Sequence, residues 1–130
     1  MAKILHCAIE GDPTFDGGDY ADIPGLELTF KTPLVATVAL LFNLPQPYAT
    51  GNNFPGGEFR FLYDKQPKVS GCFTYSKAQP ESFGRMPLTL IATIDVIPVV
   101  LHQVSVQWRS VRGSTVHLGG SASLNAIFDV

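Results

Sequence analysis

The side chains able to do chemistry in this chain gather in and beside turns. The segment Pro47-Tyr48-Ala49-Thr50-Gly51-Asn52-Asn53-Phe54-Pro55 carries hydroxyl, amide and aromatic groups and no charge. It separates two apolar runs that a turn of roughly two to five residues could join, so its length needs a reason. Beside other turns stand Thr74-Tyr75, Pro80-Glu81-Ser82-Phe83-Gly84-Arg85 and Ser110-Val111-Arg112-Gly113-Ser114. This inventory suits an uncharged, hydroxyl-rich ligand better than a phosphate or a metal. The guanidinium groups of Arg85 and Arg112 are planar forks of donors that span neighbouring hydroxyls, while Tyr48, Thr74, Tyr75 and Ser82 offer groups that both donate and accept. An aromatic ring covers the apolar face of a pyranose by burying area. The residue types mark a sugar-binding surface without identifying the sugar.

Other chemistries lack their residues. His6, His102 and His117 have no second histidine or cysteine at metal-ligand spacing, so no zinc site is expected. The acidic run Glu10, Asp12, Asp16 and Asp19 lacks the spaced oxygen ligands and terminal glutamate of a helical calcium loop. It reads as a solvated turn. There is no Gly-x-Ser-x-Gly turn and no phosphate-cradling glycine loop. A glycosidase needs two carboxylates flanking the scissile bond. Glu58 and Glu81 are the only candidates near the polar turns, and nothing in the sequence sets them face to face. A binding protein without a cofactor, not an enzyme, is expected.

The elements that must hold these groups are strands. Val104, Val106 and Trp108 alternate with Gln103, Ser105, Gln107 and Arg109; Leu88 to Asp95 and Ser123 to Phe128 repeat the period of two. Further strands are expected near Lys3–Ile9, Leu26–Lys31, Leu34–Leu44, Gly57–Tyr63 and Val69–Tyr75. Gly11-Asp12-Pro13, Gly17-Gly18, Pro24-Gly25, Pro55-Gly56-Gly57 and Gly119-Gly120 read as turns. No window shows a helical stripe. Residues 1–130 therefore read as one all-β domain, a sandwich or barrel.

Composition narrows the partners. The charged fraction is 15% against the usual ~25%, so part of the surface is expected to be hidden in an oligomer. A formal net charge of −2 supports neither nucleic acid nor anionic membrane as a partner. The apolar run Leu34 to Phe42 is too short to cross a bilayer, so no direct membrane insertion is expected. Met1-Ala2-Lys3 opens no signal peptide. Synthesis in the cytoplasm is expected, with any export by a route that needs no cleaved signal. Cys7 and Cys72 lie in apolar runs and read as buried free thiols.

Longer stretches carry a resemblance. Pro45-Gln46-Pro47-Tyr48-Ala49-Thr50-Gly51-Asn52-Asn53-Phe54-Pro55-Gly56 is similar to a segment of the N-terminal fucose-binding domain of the Burkholderia superlectin. So are Gly71-Cys72-Phe73-Thr74-Tyr75-Ser76, Pro80-Glu81-Ser82, Gly84-Arg85-Met86-Pro87, Ala92-Thr93-Ile94-Asp95-Val96 and Ser110-Val111-Arg112-Gly113-Ser114. Asp22-Ile23-Pro24-Gly25-Leu26 and Ala122-Ser123-Leu124 extend the similarity, which runs from about Tyr20 to Phe128. The resemblance implies a TNF-like jelly-roll β-sandwich assembled as a homotrimer. It implies calcium-independent sites for fucose and fucosylated cell-surface oligosaccharides, each formed between adjacent protomers. Tyr48, Ser82 and Arg85 match one protomer's share of such a site, and Thr74, Tyr75 and Arg112 match the neighbour's share. Glu58 stands where the family pattern has a tyrosine, and Phe83 where it has a threonine; these positions are expected to shift glycan preference. The superlectin's calcium-dependent domain has no counterpart here. The alternative is a TNF-like protein-binding or assembly module that does not bind sugar.

Overall fold

The computed structural model describes residues 2–129. Eleven strands follow in order: β1 (Ala2–Gly11), β2 (Thr14–Phe15), β3 (Ala21–Phe30), β4 (Ala36–Leu44), β5 (Tyr48–Thr50), β6 (Gly56–Tyr63), β7 (Gln66–Thr74), β8 (Leu88–Val96), β9 (His102–Val111), β10 (Thr115–His117) and β11 (Gly120–Asp129). The described residues form no helix, hence none long and apolar enough to cross a membrane. Two four-stranded antiparallel sheets, β1-β11-β4-β8 and β3-β9-β6-β7, form a sandwich. A small third sheet, β2-β10-β5, joins segments far apart in the chain.

The period of two explains the core. On β4, Val38, Leu40, Phe42 and Leu44 point inward; on β9, Val104, Val106 and Trp108 do so. Phe42 of one sheet meets Phe59 of the other at 5.8 Å between ring centroids, and Phe30 meets Phe128 at 5.6 Å. Each such buried side chain contributes roughly 1.5–3 kcal/mol relative to an exposed one.

Several expected boundaries move. Pro24-Gly25 is not a turn but lies inside β3, where the register shifts between Asp22 and Glu27 and Gly25 takes φ +86°. Such a bulge bends a strand without ending it. Leu34 and Val35 precede β4 and are exposed. Pro55-Gly56-Gly57 is not a simple turn, because both glycines open β6 and pair with Phe73 and Thr74 of β7. A Cβ at Gly56 would lie 2.2 Å from the Phe73 carbonyl oxygen, so only glycine fits. The segment from Pro47 to Pro55 is not wholly a loop, since β5 occupies its first half. Cys72 is exposed on β7 and Cys7 half-buried on β1, so neither is a buried core thiol; both are free.

Opposite the polar turns, His102 lies buried behind the connection from β8 to β9. Its Nδ1 is 2.7 Å from the Asp64 carboxylate, and its Nε2 is 2.9 Å from the Ile97 carbonyl oxygen. Both ring nitrogens thus face acceptors, the pattern of the doubly protonated ring. Burial disfavours that charge, but the Asp64 and Ile97 contacts outweigh it and raise the histidine pKa.

Candidate functional site

Four connections meet at one end of the sandwich. Residues 45–47 lead into β5, 51–55 into β6, 75–87 into β8 and 112–114 into β10. Backbone bonds tie them together: Met86 N–H donates to Pro47 at 2.9 Å, Tyr75 N–H to Pro55 at 2.9 Å and Phe54 N–H to Ala78 at 3.3 Å.

Tyr48 is placed by the small sheet, in which it pairs with His117 across β5 and β10. The two rings stack with centroids 4.2 Å apart and planes 10° from parallel. The Arg85 guanidinium lies 4.2 Å from the centre of the same Tyr48 ring. At these distances the imidazole and the guanidinium cannot share a face, so the phenol is held between them. Arg85 Nη1 also donates to the Gln46 carbonyl at 3.3 Å. Gly119, at φ +82°, makes room for this contact: a Cβ there would lie 1.9 Å from the Gln46 oxygen and 2.9 Å from Arg85 Nη1.

Behind the phenol, Asp12 gathers three donors. Gly119 N–H donates to its Oδ1 at 2.8 Å; Oδ2 lies 3.3 Å from His117 Nδ1 and 3.4 Å from the Tyr48 hydroxyl. Burial pushes the Asp12 carboxyl upward, but the Gly119 and His117 hydrogen bonds outweigh it and hold it below the usual carboxylate range. His117 Nε2 lies 3.2 Å from the Thr50 hydroxyl.

Tyr75 stands next to this stack. Its hydroxyl donates to the Gly84 carbonyl at 2.6 Å, and its ring meets Phe83 edge to face at 5.8 Å. Burial raises the phenol pKa, more than the nearby Arg85 cation lowers it. An open pocket of about 290 Å³ adjoins the ring, lined by Tyr75, Ser76, Lys77, Pro80, Glu81 and Ser82. Thr74 is exposed at the end of β7, opposite Gly56. Arg112 adopts φ +51°, and its Nε and Nη2 donate to the carbonyls of Asn53 and Phe54 at 2.6–3.1 Å.

Tyr48, Tyr75, Ser82, Phe83 and Arg85 thus come together within one chain. Thr74 and Arg112 flank them through the connection from β5 to β6. Glu58 stands apart from that group, on the outward side of β6. Its carboxylate takes Arg109 Nε at 2.8 Å and Nη2 at 2.7 Å, while Arg109 and Arg60 lie 4.7 and 3.8 Å from the Tyr20 ring centre. The sequence does not mark Asp12, His117, Gln46 or Gly119 as site residues. Asp12 reads there as part of a solvated acidic turn, and only the pairing of β10 with β2 and β5 reveals its neighbours.

These features define an all-β sandwich domain with a polar, aromatic surface at one end. The family described as Bc2l-C, N-terminal domain, matches residues 13–127, and the chain belongs to that family. No curated protein sequence matches it. Among solved structures, dimeric latent PorU from Porphyromonas gingivalis is similar at 12% identity and a TM-score of 0.60. That similarity covers 98% of this chain but only 13% of PorU, and it concerns the fold alone. Eiger TNF from S. frugiperda is similar at 8% identity over 93% of this chain and 90% of its own, with a TM-score of 0.46.

Proposed function

We propose that this protein is a lectin that binds fucose and fucosylated oligosaccharides without calcium, at sites completed between adjacent protomers of a TNF-like, jelly-roll homotrimer. Membership of the Bc2l-C N-terminal domain family supports a lectin-type domain. The observation that carries the reading is the Arg85 guanidinium held on the Tyr48 ring beside Tyr75 and an open pocket. Arg85 supplies donors for vicinal hydroxyls, Ser82 a further hydroxyl, and the aromatic rings an apolar wall. Thr74, Tyr75 and Arg112 complete the site of the neighbouring protomer. The reading is one of binding without catalysis, on cell-surface glycans.

A single site holds a small sugar weakly, because few atoms are buried. Three sites on one assembly gain avidity on a glycan-coated surface. A glycan array tests the proposal: signal confined to fucosylated structures is expected. An array silent on every fucosylated glycan would instead favour a protein-binding module, the reading that Phe83 packed on Tyr75 supports. Within the lectin reading, Arg85→Ala loses a charge-assisted hydrogen bond of roughly 1.5–3 kcal/mol. Fucose affinity should fall about 10- to 150-fold in calorimetric titration.

A further inference from the structure

We propose that Asp12 and His117 are positioning residues for the sugar site, fixing the Tyr48 ring so that it carries the Arg85 guanidinium in its binding orientation. The inference rests on the carbohydrate reading for its functional consequence, and on geometry alone for the positioning itself. Tyr48 is half-buried, and its hydroxyl and ring could rotate toward solvent if nothing held them. Two contacts prevent this. The imidazole covers one face at 4.2 Å, and the Asp12 carboxylate lies 3.4 Å from the hydroxyl. Asp12 also lies 3.3 Å from His117 Nδ1, so one carboxylate oxygen serves both members of the stack. The other oxygen anchors Gly119, the residue whose missing Cβ lets Arg85 reach Gln46. Thr50 holds the far side of the imidazole.

The chain therefore runs from Asp12 through His117 and Tyr48 to Arg85, with only the last two offered to ligand. A guanidinium on a ring gains most when the ring is already in place, because ordering then costs nothing at the moment of binding. Asp12 and His117 come from β1–β2 and β10, whereas Tyr48 and Arg85 come from β5 and the connection before β8. Loss of either supporting group should loosen the binding pair without touching the sugar.

Ligand-free NMR of the whole chain tests the positioning directly, since the Tyr48 ring current shifts the Arg85 side-chain resonances. In Asp12→Ala and His117→Ala these resonances should move toward their random-coil positions. His117→Phe keeps a ring on Tyr48 and should keep them shifted. If Asp12→Ala fails to fold, His117→Ala still removes the ring that covers Tyr48 and leaves the Gly119 contact in place. In titrations with fucose, the alanine variants should bind about tenfold more weakly, and His117→Phe within about threefold of the native protein. Unmoved Arg85 resonances in both alanine variants, or in His117→Ala where it alone folds, overturn the positioning claim. A native protein that binds no fucose, with the resonances moving as described, overturns the carbohydrate reading and leaves the positioning intact.

Discussion

The two outward faces of the sandwich share a pleat but not a surface. On β3-β9-β6-β7, charge is paired within the chain: Gln107 bridges Arg60 and Asp22, Arg60 and Arg109 lie on Tyr20, and Arg109 binds Glu58. On β1-β11-β4-β8, three successive cross-strand rows carry no lysine, arginine or carboxylate. They read Ile4-Ile127-Ala39-Thr93, His6-Asn125-Leu41-Ile91 and Ala8-Ser123-Asn43-Thr89. Ile4 and Ile91 are 63% and 60% exposed there, and covering either would remove apolar area from water. One face has resolved its electrostatics internally. The other is uncharged over three rows and suits the interface of the proposed trimer, and the low charged fraction of the chain is concentrated on it.

The largest effect expected from this difference is all-or-none. Ile91→Arg places a charge in the middle of the uncharged face, and a buried unpaired charge is costly enough to prevent assembly. If the proposed trimer forms through this face, sedimentation should show a folded monomer, with fucose binding lost because each proposed site needs a neighbour. Thr29→Arg, at an exposed position on the other outward face, should leave the proposed trimer intact. Equal behaviour of the two variants would erase the distinction between the faces.

Gly119→Ala comes next. A side chain at φ +82°, against the Gln46 carbonyl, should destabilise the chain by about 1–3 kcal/mol and weaken fucose binding through Arg85. Denaturant titration and calorimetry measure the two losses separately.

A smaller effect concerns pH at the end remote from the site. The raised pKa of His102 stabilises the fold below the unfolded value of about 6.5, and this contribution disappears as pH rises through the folded value. Asp64 behaves oppositely. Burial raises its pKa, but the hydrogen bonds from His102 and Gln103 lower it overall, so its contribution holds above the unfolded value of about 3.9 and fades in acid. Stability should therefore peak between about pH 4 and 6.5. In His102→Gln, unfolding midpoints followed across pH should lose the alkaline decline.

Glu58→Gln should matter least. Partly exposed ion pairs are screened, so the melting midpoint should stay close to that of the native protein. A marked drop would give the charged face a structural role that its exposure argues against.

Much of this architecture was legible before any coordinates. The alternation along β8, β9 and β11 marked their inward sides, and turn residues bounded most long strands. The short strands β2, β5 and β10 were not legible, because two or three residues cannot display a period. The consequence was local but important. Tyr48 could be singled out for its chemistry, yet its stacking partner lies at position 117 and the carboxylate behind both at position 12. Glu58 drew attention because it stands where the family pattern has a tyrosine; the alternation of β6 turns it outward, and only the strand pairing reveals Arg109 as its partner. Pro24-Gly25 carried a true signal of irregular backbone, which a bulge satisfied instead of a turn.

The proposed function turns on a calcium-independent fucose site built on Tyr48 and Arg85. Its most direct test is calorimetric titration of the native protein with fucose in buffer containing a calcium chelator. Saturable binding near one sugar per protomer, unchanged by added calcium, is expected. Absence of binding under chelation, at fucose concentrations high enough to detect a weak site, would contradict it.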